Sequence, residues 1–238
     1  MATSGPKEVV CLLLKEGTRE LDYKKDGDKD TWYIGIVVVG DWIMTADYQA
    51  SNIRLHRSHD GKLLATHELE SLPHAICAIN DTEVCLILFN GHTVFISVHC
   101  KEDEGTITRL RTLHLHDEMD LYKGVSKYGD NVVVCGKKQG TICWIIVSLD
   151  GIIIRRIQPV NIINGDYIYI TTKDNMIYIS CNLGRFHRPE NGVYGYDIEN
   201  PNKHSYTYKH RDLYCPAAVT VDSKGFVFVC NYGGTRSP

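Results

Sequence analysis

The chain has 238 residues, a formal net charge of -3 and a sequence pI near 6.4, a balance that implies no general affinity for polyanions. No apolar run is long enough to cross a bilayer as a helix, and the start MATSGPKEVV lacks the apolar core of a secretory signal. VVCLLL is too short and is flanked by Lys7, Glu8, Lys15 and Glu16, so a cytoplasmic location without membrane association is expected.

Taken from the N-terminus, residues 1–7 read as a disordered segment and residues 8–238 as one repetitive β domain. KEVVCLLLK at 7–15 supplies a first strand, and the charged loop GTRELDYKKDGDKD at 17–30 separates it from WYIGIVVV at 32–39. An acidic turn then recurs at Gly40-Asp41, Asn80-Asp81, Gly129-Asp130, Lys173-Asp174 and Asp222 with Gly225. Its interval of roughly 40 to 50 residues is that of a four-stranded β-propeller blade. WYIGIVVV, AICAI and PAAVTV precede such turns; EVCLILF, NVVVC, NMIYIS and FVFVC follow them. IRLH, TVFISV, TICWIIVSL and GVYGYDI come third in each unit, and KLLATHEL, TRLRTLHL, IIIRRI and HSYTYKH come fourth. These short runs, rich in Val, Ile, Tyr and Thr and closed by Asp-Gly, Asn-Gly or Gly-Asp, argue for strands.

The count is about four complete blades with partial ones at both ends. The expected fold is therefore an all-β propeller of four-stranded blades, six-bladed in a longer parent and incomplete at the C-terminus. FVFVC at 226–230 then either keeps an open edge, which favours self-association, or is covered by the N-terminal strand near Val9 and Val10. Nine cysteines, Cys11, Cys77, Cys85, Cys100, Cys135, Cys143, Cys181, Cys215 and Cys230, are scattered through the apolar runs. They read as reduced, buried small hydrophobes.

Ala46-Asp47-Tyr48, an apolar strand from Ile53 and then Asp60-Gly61-Lys62-Leu63-Leu64 together resemble the NHL repeat. PAAVTVDSKGFVFV at 216–229 resembles it as well, with a proline-led strand running into an Asp-x-x-Gly turn. Ala50-Ser51-Asn52 stand where that family has Asn-His-Arg. The whole-chain layout looks most like the propeller tails of TRIM-NHL (tripartite-motif) proteins. That resemblance implies a recognition module that binds a protein partner, as the substrate-selecting part of a ubiquitin ligase, or alternatively single-stranded RNA. The zinc modules that carry ligase chemistry are absent from this sequence, which has no Cys-x-x-Cys.

Dedicated chemistry finds little support. His114 and His116, two apart on a strand, share a face, and Asp117 or Asp120 would complete a metal set; His92, His99 and Cys100 form a similar group. The plain reading is that both decorate strand surfaces. GKKQGT at 136–141 has no Gly-Lys-Ser/Thr ending and precedes a strand, so it reads as a hairpin turn. No Gly-x-Ser-x-Gly is present, and no Cys and His share a recognisable nucleophile–base context. A metal-dependent propeller hydrolase or lyase is accordingly the third reading, and neither a cofactor nor catalysis by these residues is expected.

The loops give a better lead. Connections between second and third strands emerge on the same side of a propeller as those between blades. That face is expected to present Tyr48, Lys137 and Lys138, then Arg185, Phe186, His187 and Arg188 from CNLGRFHRPENG, and His210 with Arg211 from the next connection. A basic cluster interleaved with aromatics suits an acidic peptide or a phosphate backbone. Arg155 and Arg156 are expected on a blade-edge strand away from it.

Overall fold

The computed structural model describes residues 9–10, 33–101, 104–115, 118–159, 167–182, 191–210, 213 and 216–231. Every acidic turn singled out above connects two neighbouring strands of a sheet, and in the four-stranded sheets these are the first and second. The first blade comprises β2 (Tyr33–Val39), β3 (Trp42–Asp47), β4 (Asn52–Arg57) and β5 (Leu63–Glu68). The second comprises β6 (Pro73–Ala78), β7 (Glu83–Leu88), β8 (His92–Lys101) and β9 (Glu104–His114). β10 (Leu121–Tyr128), β11 (Asn131–Lys138), β12 (Thr141–Ser148) and β13 (Ile153–Ile157) form the third, and β14 (Tyr167–Lys173), β15 (Met176–Asn182), β16 (Gly192–Asp197) and β17 (His204–Tyr208) the fourth. Strands adjacent in sequence are adjacent in each sheet, so all four are meanders. The expected architecture of four complete blades is thus present.

A fifth sheet has the order β1-β19-β18, with β18 (Pro216–Val221), β19 (Val227–Asn231) and β1 (Val9–Val10). Val9 and Val10 pair in parallel with Val227 and Phe228. Of the two arrangements expected for FVFVC, the second is realised: the N-terminal strand lies beside it. The segment expected to be disordered, 1–7, falls outside the described residues. Among those described, no helix is long and apolar enough to cross a membrane.

Two first strands escaped the sequence reading. β10 interleaves Lys123, Ser126 and Lys127 with its apolar residues, and β14 ends in Thr171, Thr172 and Lys173. Neither offers the uninterrupted apolar run that marked the others. The β8–β9 hairpin also extends well beyond TVFISV and TRLRTLHL, with Lys101 opposite Glu104 at its tip.

The turns obey local backbone rules. Gly40 has φ +56°, a left-handed conformation that glycine adopts without penalty. A Cβ there would lie 3.0 Å from the Asp81 carbonyl oxygen of the next acidic turn and 3.2 Å from the Trp42 ring. Gln139 and Gly140, φ +51° and +76°, form the two-residue hairpin read from GKKQGT, with the positive φ at both positions that a type I′ turn requires.

The chain divides into two compact units, residues 14–125 and residues 1–13 with 126–238, and the boundary falls within β10. In the first, Val39, Met44, Ala46, Ile53 and Leu55 pack against Val84, Leu86, Leu88, Val94, Ile96 and Val98. Every second residue of β7 and β8 faces this core, the two-residue period of a strand. In the other unit Val133, Cys135, Ile142, Trp144 and Ile146 pack with Ile170, Ile177, Ile179, Cys181, Tyr194 and Tyr196. Tyr178, Val193, Val219, Val227 and Val229 join the fourth blade to the fifth sheet. Each large side chain so buried contributes about 1.5–3 kcal/mol. Of the cysteines, Cys85, Cys135, Cys143 and Cys181 are buried as expected, whereas Cys77 is half-buried and Cys230 exposed. Cys230 departs from the expectation because it alternates with Val227 and Val229 along β19 and takes the opposite burial to Val229.

Candidate functional site

In the unit formed by residues 14–125, the sequence puts an acceptor at the end of β3. Asp47 is fully buried, and its Oδ1 accepts the backbone N–H groups of Gln49 and Ala50 at 3.1 and 3.2 Å. An Asp that caps the following backbone in this way fixes a turn, here the β3–β4 connection, which also contains Ser51 at φ +51°. On the other side of the carboxylate, Oδ2 lies 3.7 Å from a guanidinium nitrogen of Arg54, itself 7% exposed. Arg54 donates to the Tyr33 hydroxyl at 3.3 Å. Three adjacent strands thus hold one turn, and that turn presents Tyr48.

Tyr48 opens an aromatic ladder. Its ring meets the His74 imidazole edge to face at 5.9 Å, and His74 stacks on Phe89 at 5.4 Å with 19° between planes. His74 follows Pro73 at the start of β6, where the register with β7 shifts between Pro73 and Ala75. Phe89 stands in the β7–β8 turn, pinned by its backbone N–H on the Leu72 carbonyl at 2.8 Å and by Gly91 N–H on the Leu88 carbonyl at 3.0 Å. Phe89 is nevertheless 58% exposed. His74 Nε2 is buried and meets no hydrogen-bond partner among the described residues. Burial, and then the charge of Lys123, lower the imidazole's pKa, so the ladder's middle ring is neutral at pH 7. Neither His74 nor Phe89 was singled out from the sequence. The signal was a large aromatic at a turn position, Phe89-Asn90-Gly91, where small and polar residues normally stand.

Beside the ladder, Glu70 in the β5–β6 connection accepts from Arg109 at 2.8 and 3.3 Å and contacts His92 Nδ1 at 2.7 Å. Arg109 first and His92 second hold the Glu70 carboxyl down at about 2. A carboxyl whose pKa falls on folding stabilises the protein above its unfolded value of 4.5 and loses that contribution as pH falls towards 2. The side chains are 37% and 40% exposed, which limits the pair to about 1 kcal/mol. A carboxyl-carbon NMR titration is expected to place Glu70 far below the other glutamates, and Arg109→Met to return it towards 4.5. A Glu70 midpoint unmoved by Arg109→Met would refute the assignment.

Of the residues expected on the loop face, Tyr48 belongs to this unit and the others to the second. Lys137 and Lys138 were expected in a loop. They are the last two residues of β11, opposite Ile142 and Thr141, and as neighbours in a strand they point to opposite faces. His210 follows β17 and stacks on Tyr208 at 6.3 Å with 7° between planes. Arg185, Phe186, His187, Arg188 and Arg211 lie outside the described residues. Arg155 and Arg156 do sit on the outer strand β13, with Arg155 3.2 Å from Glu199. In the metal sets, His92 and His114 are cross-strand partners with rings 4.4 Å apart, while His116 and Asp117 lie outside the described residues. Among those described, no three of His, Cys, Asp and Glu gather closely enough to hold a metal ion.

No protein-family model matches the chain, and no curated protein matches it. Solved structures do. The glutaminyl cyclase of Myxococcus xanthus superposes with a TM-score of 0.57 at 10% identity, over 84% of this chain and 85% of that one. A Bacteroides caccae protein of unknown function gives 0.62 at 13%, over 88% and 74%. The β-propeller domain of Myceliophteria thermophila Cps50 (Swd1) gives 0.52 at 12%, over 84% and 67%. Identities this low speak for fold alone, and together with the four antiparallel blades they show an all-β chain of the β-propeller fold.

Proposed function

We propose that the chain is a non-catalytic recognition module that binds a protein partner through the loop face of its blades, as its resemblance to TRIM-NHL propellers implies. The observation that carries this reading is the Tyr48–His74–Phe89 ladder. An exposed ring backed by a second ring and set in a hydrogen-bonded turn is already ordered, so little conformational entropy remains to be lost on binding. Aromatic anchors of this kind dominate interface energetics. In a ubiquitin ligase such a module selects the substrate.

Selection of peptides from a random display library on the immobilised chain tests the proposal. Enriched peptides are expected to weaken by about 1–3 kcal/mol on Phe89→Ala, and less on Arg155→Ala with Arg156→Ala. Peptides indifferent to Phe89→Ala would remove the ladder as the site. If no peptide is enriched and single-stranded RNA binds instead, with a salt slope reduced by Ala at Lys137, Lys138, Arg185 and Arg188, the module reads RNA.

A further inference from the structure

The second blade holds two thiols in direct opposition. Cys77 of β6 and Cys85 of β7 are cross-strand partners in an antiparallel pair. Two steps along the same pair, the Ile79 N–H donates to the Glu83 carbonyl at 2.8 Å. Pair types alternate along an antiparallel ladder, so Cys77 and Cys85 also occupy a hydrogen-bonded pair, with Cα atoms about 5.5 Å apart. That separation lies within the Cα range of about 4.4–6.8 Å for a disulfide. The Cβ atoms of a hydrogen-bonded pair stand about 5.5 Å apart, beyond the usual range of about 3.5–4.5 Å, so closing the bridge draws the two strands together locally. As partners in this pair, the two side chains lie on the same face of the sheet. Cys77 is half-buried and so has an approach from solvent, whereas Cys85 is fully buried.

The row continues across the sheet. Phe95 is the partner of Cys85, and Arg111 is the partner of Phe95. The Arg111 guanidinium lies over the Phe95 ring at 4.3 Å. Burial and then the neighbouring Cys77 push the Cys85 thiol up, and the Arg111 charge opposes them as the smallest influence. Cys77, which has the approach from solvent, is therefore the thiol that a peroxide reaches first, with Cys85 as the second thiol.

We propose that Cys77 and Cys85 are a redox modification site at which a hydroperoxide drives formation of an intramolecular disulfide bridging β6 and β7. The Cys77 thiolate attacks one peroxide oxygen, breaking the O–O bond; hydroxide leaves and takes up a proton as water, and Cys77 becomes a sulfenic acid. Cys85 then loses its proton and attacks the Cys77 sulfur. The S–O bond breaks, and the departing hydroxide collects that proton as a second water. Two thiols are oxidised to one disulfide and one hydrogen peroxide is reduced to two waters. The site stands independently of the proposed recognition role, although the bridged strands are those that carry His74 and lead into Phe89.

The test uses the folded chain, fully reduced, treated with hydrogen peroxide and then alkylated in denaturant. Cleavage after Glu83 separates Cys77 from Cys85, so a bridge keeps the two peptides joined until a reductant is added. The expected product is this joined pair, lighter than the reduced peptides by two hydrogen atoms and recovered by dithiothreitol. Cys77→Ser is expected to leave Cys85 alkylatable after the same treatment, and Cys85→Ser to leave Cys77 as a sulfenic acid that a dimedone probe traps. Separate, alkylated peptides from the wild type would overturn the proposal. So would either cysteine bridged to a third residue, or Cys77 carried on to the sulfinic acid with Cys85 still reduced.

Discussion

Replacing Trp144 with Ala is expected to lower unfolding free energy by about 3–5 kcal/mol, a large share of the roughly 5–15 kcal/mol that holds a typical domain together. Trp144 is fully buried at the middle of β12, opposite Cys135 and Ile157. Its indole packs against the Tyr196 ring at 5.3 Å, linking the third blade to the fourth. A lower urea midpoint with an unchanged slope would register the loss; a change within about 0.5 kcal/mol, the surface range, would contradict the packing. Two milder variants sharpen the result. The Trp144 indole N–H and the Tyr196 hydroxyl are buried without a hydrogen-bond partner among the described residues, and a buried unsatisfied group costs about 1–3 kcal/mol. Trp144→Phe is therefore expected to cost clearly less than Trp144→Ala, and Tyr196→Phe to be neutral or stabilising. Burial first, and then Cys181, push the Tyr196 phenol up to about 12. Its contribution is complete below pH 10 and is lost as pH rises towards 12, and Tyr196→Phe should abolish that alkaline loss.

The second large effect is expected at Asp47. Asp47→Ala removes the carboxylate that faces Arg54, two buried charges 3.7 Å apart. Leaving a buried guanidinium without its counter-charge typically costs about 3–5 kcal/mol. The same change removes the acceptor of the Gln49 and Ala50 N–H groups, so the turn that presents Tyr48 loosens as well. Asp47→Asn keeps an oxygen for the turn and deletes only the charge, and is expected to fall between Ala and the wild type. Arg54→Met combined with Asp47→Ala should recover part of the loss, because it removes the stranded charge. If Asp47→Ala and Asp47→Asn were equally mild, the ion pair would not be holding the first blade.

Blade rhythm was legible in the sequence because it is written in local chemistry. The turns at Asp41, Asp81, Asp130, Asp174 and Asp222 each need small or acidic residues beside short β-branched runs, and each was found between two paired strands. Long-range pairings were less visible. The pairing of Val9 with Val227 appeared only as one of two alternatives, since nothing in a two-residue strand names its partner. The candidate site was harder still. Tyr48 was found through its turn, but His74 comes from β6 and Phe89 from the β7–β8 connection, and no sequence period relates the three. Lys137 and Lys138 misled for the opposite reason: lysines beside a Gln-Gly turn look like loop residues, although strand pairing continues as far as Lys138 and Thr141.

The parallel pairing of β1 with β19 makes one unit discontinuous, residues 1–13 and 126–238 with 14–125 inserted between them. Synthesis proceeds from the N-terminus at about 5–20 residues per second, so Val9 and Val10 leave the ribosome well before their partners Val227 and Phe228. Residues 14–125 can close their own core while β19 has yet to be made. The price of joining the distant ends is modest at equilibrium, because loop-closure entropy grows only with the logarithm of loop length. Its effect is on timing: the fifth sheet completes only once translation has passed Phe228, and until then β1 is an early-made strand waiting for a late-made partner.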